Sequence, residues 1–137
     1  MAQRVERLVV DEGLLSRLSR EAVEASVELC GLLLGRVDGE AAVVEVAEPL
    51  ENVAASPTSF RARPEDVYTA HLKAEERGLD VVGIYHSHPA PPSPSTADLE
   101  GMGRWPLAWL IISSLDGSTA AYQLRGGGVA RLEVEVR

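Results

Sequence analysis

The chain is poor in the features that would tie it to an oxidising compartment, a membrane or a polyanion. Its one cysteine, Cys30, cannot make an internal disulfide, and the opening MAQRVERLVV lacks the apolar stretch of a secretion signal. No hydrophobic run approaches the roughly 20 residues needed to span a bilayer. Basic residues are outnumbered, 13 Lys and Arg against 21 Asp and Glu, and the resulting net charge of -8 repels phosphate backbones and anionic lipid. Neither an internal repeat nor a low-complexity tract nor a linker breaks the 137 residues. These absences predict one domain over residues 1–137, in the cytoplasm, with neither nucleic acid nor membrane as partner.

What is present is ordinary globular material, 45% hydrophobic and 25% charged, enough for a core of its own. Residues 5–10 read as a strand, and Leu14, Leu15, Leu18, Ala22, Val23 and Ala25 mark one face of a helix over 12–26. The apolar run 28–37, the turn Asp38-Gly39 and the β-branched return 41–46 predict a hairpin. Residues 49–64 hold three prolines and the polar SPTS, so they read as loop with room for a short strand at 59–62. Pro64, Glu65 and Asp66 suit a helix start, and Arg77 with Gly78 its end. Residues 79–85 read as a buried central strand, and a short helix follows near 95–102. Three antiparallel strands then close the chain at 107–113, 119–124 and 129–136. The pattern is a mixed sheet with helices against it, of the α+β class.

The chemistry concentrates in GIYHSHPAPPSPSTADLE, residues 83–100. On a strand, His86 and His88 project to one side and Ser87 to the other, while Pro89 stops the ladder and leaves the imidazoles at the strand exit. Ser95 is placed to cap the next helix, with Asp98 in its first turn facing back toward the loop. Two histidines and an aspartate would bind zinc tetrahedrally with a fourth position for water, and zinc lowers the pKa of that water to roughly 7. Glu28 opens a buried-looking run where an unpartnered charge is costly, which makes it the candidate base. Each part also has a plainer reading. A His-Ser-His can be a strand end, Ser95 and Asp98 a capping box, and Glu28 a solvent-facing residue past a helix. Cys30 reads as packing, His71 as a residue outside the site, and Trp105 and Trp109 as core or rim anchors.

Taken together, Glu28-Leu29-Cys30-Gly31, GIYHSHP and PSTAD resemble the JAMM (MPN+) metalloprotease signature of a distant Glu, His-x-His-Pro and Ser-x-x-Asp. The FRARPEDV helix entry and the WLIISSL strand also sit where such domains put them, so the likeness spans nearly the whole chain. The loop APPSP is one residue shorter than the common pattern. The resemblance implies a mixed, mostly antiparallel sheet flanked by helices, of the cytidine-deaminase-like kind. It also implies zinc on His86, His88 and Asp98, Glu28 as general acid/base, and Ser95 hydrogen-bonding near the scissile carbonyl.

Members of the family cleave peptide or isopeptide bonds after the C-terminal Gly-Gly of ubiquitin-like proteins. The chain has no room for the large inserted loops of eukaryotic relatives, which favours a compact prokaryotic substrate such as a ubiquitin-like sulfur carrier. The competing classes are a non-catalytic interaction module of the same fold and a zinc hydrolase of small amides. The oligomeric state is open, a homodimer being one arrangement.

Overall fold

Asp11 ends the first strand and starts the first helix, because its carboxylate accepts the Leu14 N–H at 3.0 Å and so caps the helix N-terminus. Similar punctuation sets the rest of the chain. A computed structural model describes residues 3–137. Its elements run β1 (Arg7–Val10), α1 (Glu12–Glu24), β2 (Cys30–Asp38), β3 (Ala41–Leu50), α2 (Pro64–Glu76), β4 (Asp80–His88), α3 (Thr96–Arg104), β5 (Ala108–Ser113), β6 (Thr119–Arg125) and β7 (Gly128–Val136). Gly39, in the β2–β3 turn, and Gly78, just past α2, both take the left-handed conformation, with φ of 60° and 67°.

The strands are ordered β1-β3-β2-β4-β5-β6-β7, and β1 also pairs with β7, closing the sheet on itself. The sheet is mixed. β1 runs parallel to β3 and β7, and β4 parallel to β5, while the β2–β3, β2–β4, β5–β6 and β6–β7 pairs are antiparallel. Antiparallel pairing therefore predominates only slightly.

Alternation along the strands sorts the apolar side chains into two clusters. One contains Leu8, Leu33, Tyr85, Leu110 and Ile112 with Leu18 and Ala22 of α1. The other contains Leu32, Leu34, Ile84, Trp109 and Ile111 with Ala70 and Ala74 of α2 and Met102 of α3. His86 and His88 continue the Ile84 side of β4, so they face the α2 and α3 layer.

Two expectations change. β3 continues to Leu50, through Pro49, instead of ending at residue 46. Its pairing with β1 stops at Val43, so the far part of β3 is bonded on one side only, which is where a strand tolerates proline. The possible strand at 59–62 does not form, because the buried Asn52 side chain takes the backbone there: its Nδ2 donates to Ser59 O at 2.9 Å and its Oδ1 accepts Arg61 N–H at 3.0 Å.

Candidate metal centre

β4 carries the histidines as a rigid mount. It is paired on both sides, Cys30↔His86 with β2 and His86↔Ile111 with β5, and it ends at His88 just before Pro89. His86 and His88 are both buried. Phe60 stacks on the His86 ring at 4.8 Å and 23°, and Trp109 meets it edge-on at 5.8 Å.

Asp98 arrives from the other direction. Ser95 caps α3 and forms a full capping box: Ser95 Oγ accepts Asp98 N–H at 3.1 Å, and Asp98 Oδ2 accepts Ser95 N–H at 2.9 Å. The cap therefore occupies one carboxylate oxygen and aims the other, Oδ1, to within 2.9 Å of His86 Nε2. His88 Nδ1 lies 3.9 Å from Asp98 Oδ2. The shortened loop is well pinned, since Pro91 O is 2.8 Å from His88 Nε2 and Tyr122 O–H donates to Pro92 O at 3.2 Å.

Glu28 lies just before β2, outside its ladder, and is buried at 4% exposure. Ser87, on the opposite face from the histidines, extends the β2–β4 pairing toward it. Ser87 Oγ accepts Leu29 N–H at 2.9 Å, and Ser87 N–H donates to Leu29 O at 3.0 Å. The Glu28 carboxylate reaches His86 Nδ1 at 3.5 Å. The structure thus brings His86, His88, Asp98 and Glu28 together. Ser95 stands at the edge of the same cavity with its oxygen committed to the cap as acceptor and its hydroxyl proton available.

The donor set fits a divalent cation by its chemistry and not by its present spacing. Among the described residues no three His, Cys, Asp or Glu side chains are already spaced to enclose an ion. The nitrogens are nonetheless prepared for one. His86 Nε2 is buried 2.9 Å from Asp98 Oδ1, yet the two atoms are not aligned as donor and acceptor, so Nε2 has no hydrogen-bond partner among the described residues. Its other nitrogen faces Ser87 O at 3.4 Å and Glu28, and His88 Nε2 faces Pro91 O. Those carbonyls can accept the Nδ1–H of His86 and the Nε2–H of His88, so that once an ion displaces the remaining ring protons, His86 Nε2 and His88 Nδ1 are the nitrogens free to bind it beside Asp98.

Without a metal, the charges keep the His86 ring protonated. Burial pushes the His86 imidazole down, but the Asp98 and Glu28 carboxylates outweigh it and hold the metal-free ring up to about 9. Burial pushes Asp98 up, and the positive charge of the adjacent His86 ring together with the hydrogen bonds to Ser95 more than reverses this, leaving it below the usual carboxylate range. Burial, with Glu28 nearby, pushes the Cys30 thiol up to about 11, and its sulfur donates to Leu50 O at 3.6 Å, as a packed thiol does.

A cavity of about 610 Å³ opens from these groups between the 58–62 segment, α2 and α3. His71 is an exposed residue on its wall, away from the cluster, and Trp109 is buried beneath it while Trp105 is at the rim. Sequence reading overlooked three contributors: Phe60, Ser87 and Asn52. Ser87 had a signal, since a hydroxyl between two ligands must face the opposite way and find its own partner. Asn52 had a weaker one, an Asx-type residue opening a polar loop.

Comparison with known proteins finds relatives over most of the chain. Residues 11–125 match the model of the prokaryotic homologs of the JAB domain, Prok-JAB. A desampylase of Pyrococcus furiosus is 42% identical over 107 residues, 77% of this chain and 74% of the relative. A desampylase of Haloferax volcanii is 38% identical over 117 residues, 84% and 82% of the two chains. A probable TtuB-protein conjugate cleaving protease of Thermus thermophilus is 36% identical over 126 residues, 90% and 80%. The solution structure of a Desulfitobacterium hafniense protein superposes with a TM-score of 0.81 at 30% identity, covering 95% of this chain and 92% of that one. Matched over most of its length in sequence and in fold, the chain belongs to the family of prokaryotic JAB-domain homologs, as its JAMM-like motif implied.

Proposed function

We propose that this chain is a zinc-dependent peptidase that hydrolyses the amide bond after the C-terminal Gly-Gly of a ubiquitin-like protein, of the sulfur-carrier type. Residues 1–137 act as one catalytic domain of cytidine-deaminase-like arrangement, working in the cytoplasm. The observation that carries the reading is the buried, unpartnered His86 Nε2 facing Asp98 Oδ1 at 2.9 Å, with the Glu28 carboxylate on the other side of the same ring. The names of the relatives, desampylase and TtuB-protein conjugate cleaving protease, support the substrate class.

His86, His88 and Asp98 would hold the zinc. Bound there, it would supply Lewis acidity and a water acidic enough to be deprotonated near neutral pH. Glu28 takes the proton from the attacking water and returns it to the departing amine. Ser95 donates its hydroxyl hydrogen to the carbonyl oxygen as that oxygen becomes anionic, while Phe60 and Trp109 keep solvent from the His86 ring.

A Gly-Gly tail offers no side chain to read, so its backbone must be gripped. Phe60 and Ala62 line the cavity, and among the described residues their backbone N–H and C=O groups make no hydrogen bond. The alternate positions Ser59 and Arg61 are bonded to Asn52 and Val53 on the other side. No strand forms there, but the alternation leaves the Phe60 and Ala62 backbone groups free to pair with an extended tail, and the tail docks against them.

The test is trimming of a ubiquitin-like protein extended beyond its Gly-Gly, with zinc content measured on the same sample. About one zinc per chain with release of the extension is expected, and Glu28→Gln should keep the zinc and lose at least about a hundredfold in rate. A folded chain that takes up no zinc and trims nothing is the non-catalytic module instead.

A further inference from the structure

Glu28 has a burden that the ladder does not relieve. It lies two residues before β2 begins, so no strand pairing fixes its backbone, yet its carboxylate must be held within reach of His86. Two loop contacts hold it. Glu28 N–H donates to Ser56 O at 2.8 Å, and Glu28 O accepts from Asn52 Nδ2 at 3.1 Å. Asn52 is itself buried, at 9% exposure, and its amide is fully used. Besides Glu28, Nδ2 reaches Ser59 O at 2.9 Å and Ser56 O at 3.5 Å, while Oδ1 accepts Ala54 N–H at 3.1 Å and Arg61 N–H at 3.0 Å.

One side chain therefore grips both the backbone of the proposed base and the wall of the proposed tail groove. We propose that Asn52 is a positioning residue, fixing Glu28 through its amide nitrogen and the 59–61 segment through both ends of the amide; this rests on the function proposed above. No other side chain bonds the Glu28 backbone among the described residues. A misplacement of about 1 Å in a catalytic group costs on the order of a hundredfold in rate, so the grip on Glu28 should appear in kcat. The grip on 59–61 should appear in KM.

The experiment is a cycle of Asn52→Ala, Glu28→Gln and the double variant, with the wild type, assayed for Gly-Gly tail hydrolysis well below each Tm. Asn52→Ala is expected to bind zinc as the wild type does, to lower kcat by about tenfold or more, and to raise KM. Because Asn52 acts through Glu28, the double variant should have the kcat of Glu28→Gln within about twofold, whereas independent effects would multiply.

Amide exchange gives a readout apart from turnover: the Ala54 and Arg61 N–H groups should exchange faster in Asn52→Ala. If that variant does not fold, Asn52→Ser can keep the turn bond to Ala54 N–H through its shorter hydroxyl while losing the reach to Glu28, Ser59 and Arg61, and the same cycle applies. A folded variant of either kind with kcat and KM within twofold of the wild type overturns the proposal. So does a double variant whose losses multiply. An inactive wild type would instead refute the proposed function, and unchanged Arg61 exchange in a folded variant of either kind would still overturn the role of Asn52 on its own.

Discussion

His86 has a carboxylate on each side of its ring, and that fixes how the metal-free chain responds to pH. Its value in the fold, about 9, lies above the ordinary 6.5, so the stability it contributes is fully present below about 6.5 and is lost as pH rises through about 9. Asp98 is depressed, so its contribution is present above its ordinary 3.8 and is lost as pH falls through its lowered value. Thermal melts in a chelator should therefore show the highest Tm between these two limits and a decline toward pH 9. Zinc should flatten the alkaline decline, because a coordinated imidazole is already neutral; an identical decline with and without zinc would argue against His86 as a ligand. At this scale the sequence was informative: spacing and burial cost made His86, His88, Asp98 and Glu28 candidates, and the combined motif with its family resemblance set them above their plainer readings. Phe60 and Asn52 could not, because a ring stacked on a histidine and an amide bonded to five backbone groups are products of tertiary contact.

The helix α3 is set by both its cap and its packing, and two pairs of substitutions separate these. Ser95→Ala removes the cap and should lower stability by about 1 kcal/mol. Ser95→Asp can still accept the Asp98 N–H, so urea melts should return toward wild type, yet it has no hydroxyl to donate and activity should stay low. Gly101 packs against the buried Trp109 ring: a Cβ there would lie 2.7 Å from Trp109 Cη2. Gly101→Ala should cost about 1–3 kcal/mol and weaken zinc retention, because the displaced helix also carries Asp98. Gly103 meets only Leu124 Cδ2, at 4.0 Å, so Gly103→Ala should be neutral or slightly stabilising. Equal zinc affinity in the two variants would uncouple α3 packing from the site. The ends of α2, the cap of α3 and the end of β4 were legible from local chemistry. The length of β3 was not, since whether a strand can pass through proline depends on which of its edges is paired.

Across the whole molecule, stability and chemistry rest on opposite faces of one sheet. Leu18 of α1 is buried in the cluster away from the histidines, so Leu18→Ala should cost about 2–5 kcal/mol in denaturant melts while leaving kcat unchanged wherever the chain is still folded. A fall in kcat at full folding would show that the two faces are coupled. The seam made by β1 was hidden from sequence reading, because a period of two tells which face a residue takes and not which strand lies alongside. The cavity has a further property. Its floor, with both histidines, is strand held on two edges, whereas its sides come from the 58–62 segment, α2 and α3, three stretches well separated along the chain. Of these sides α3 also carries Asp98, and the 58–62 segment is tied to Glu28 through Asn52, so α2 is the wall that mutation can remodel while the apparatus beneath is inherited intact, and there related chains can diverge in clientele without relearning the reaction.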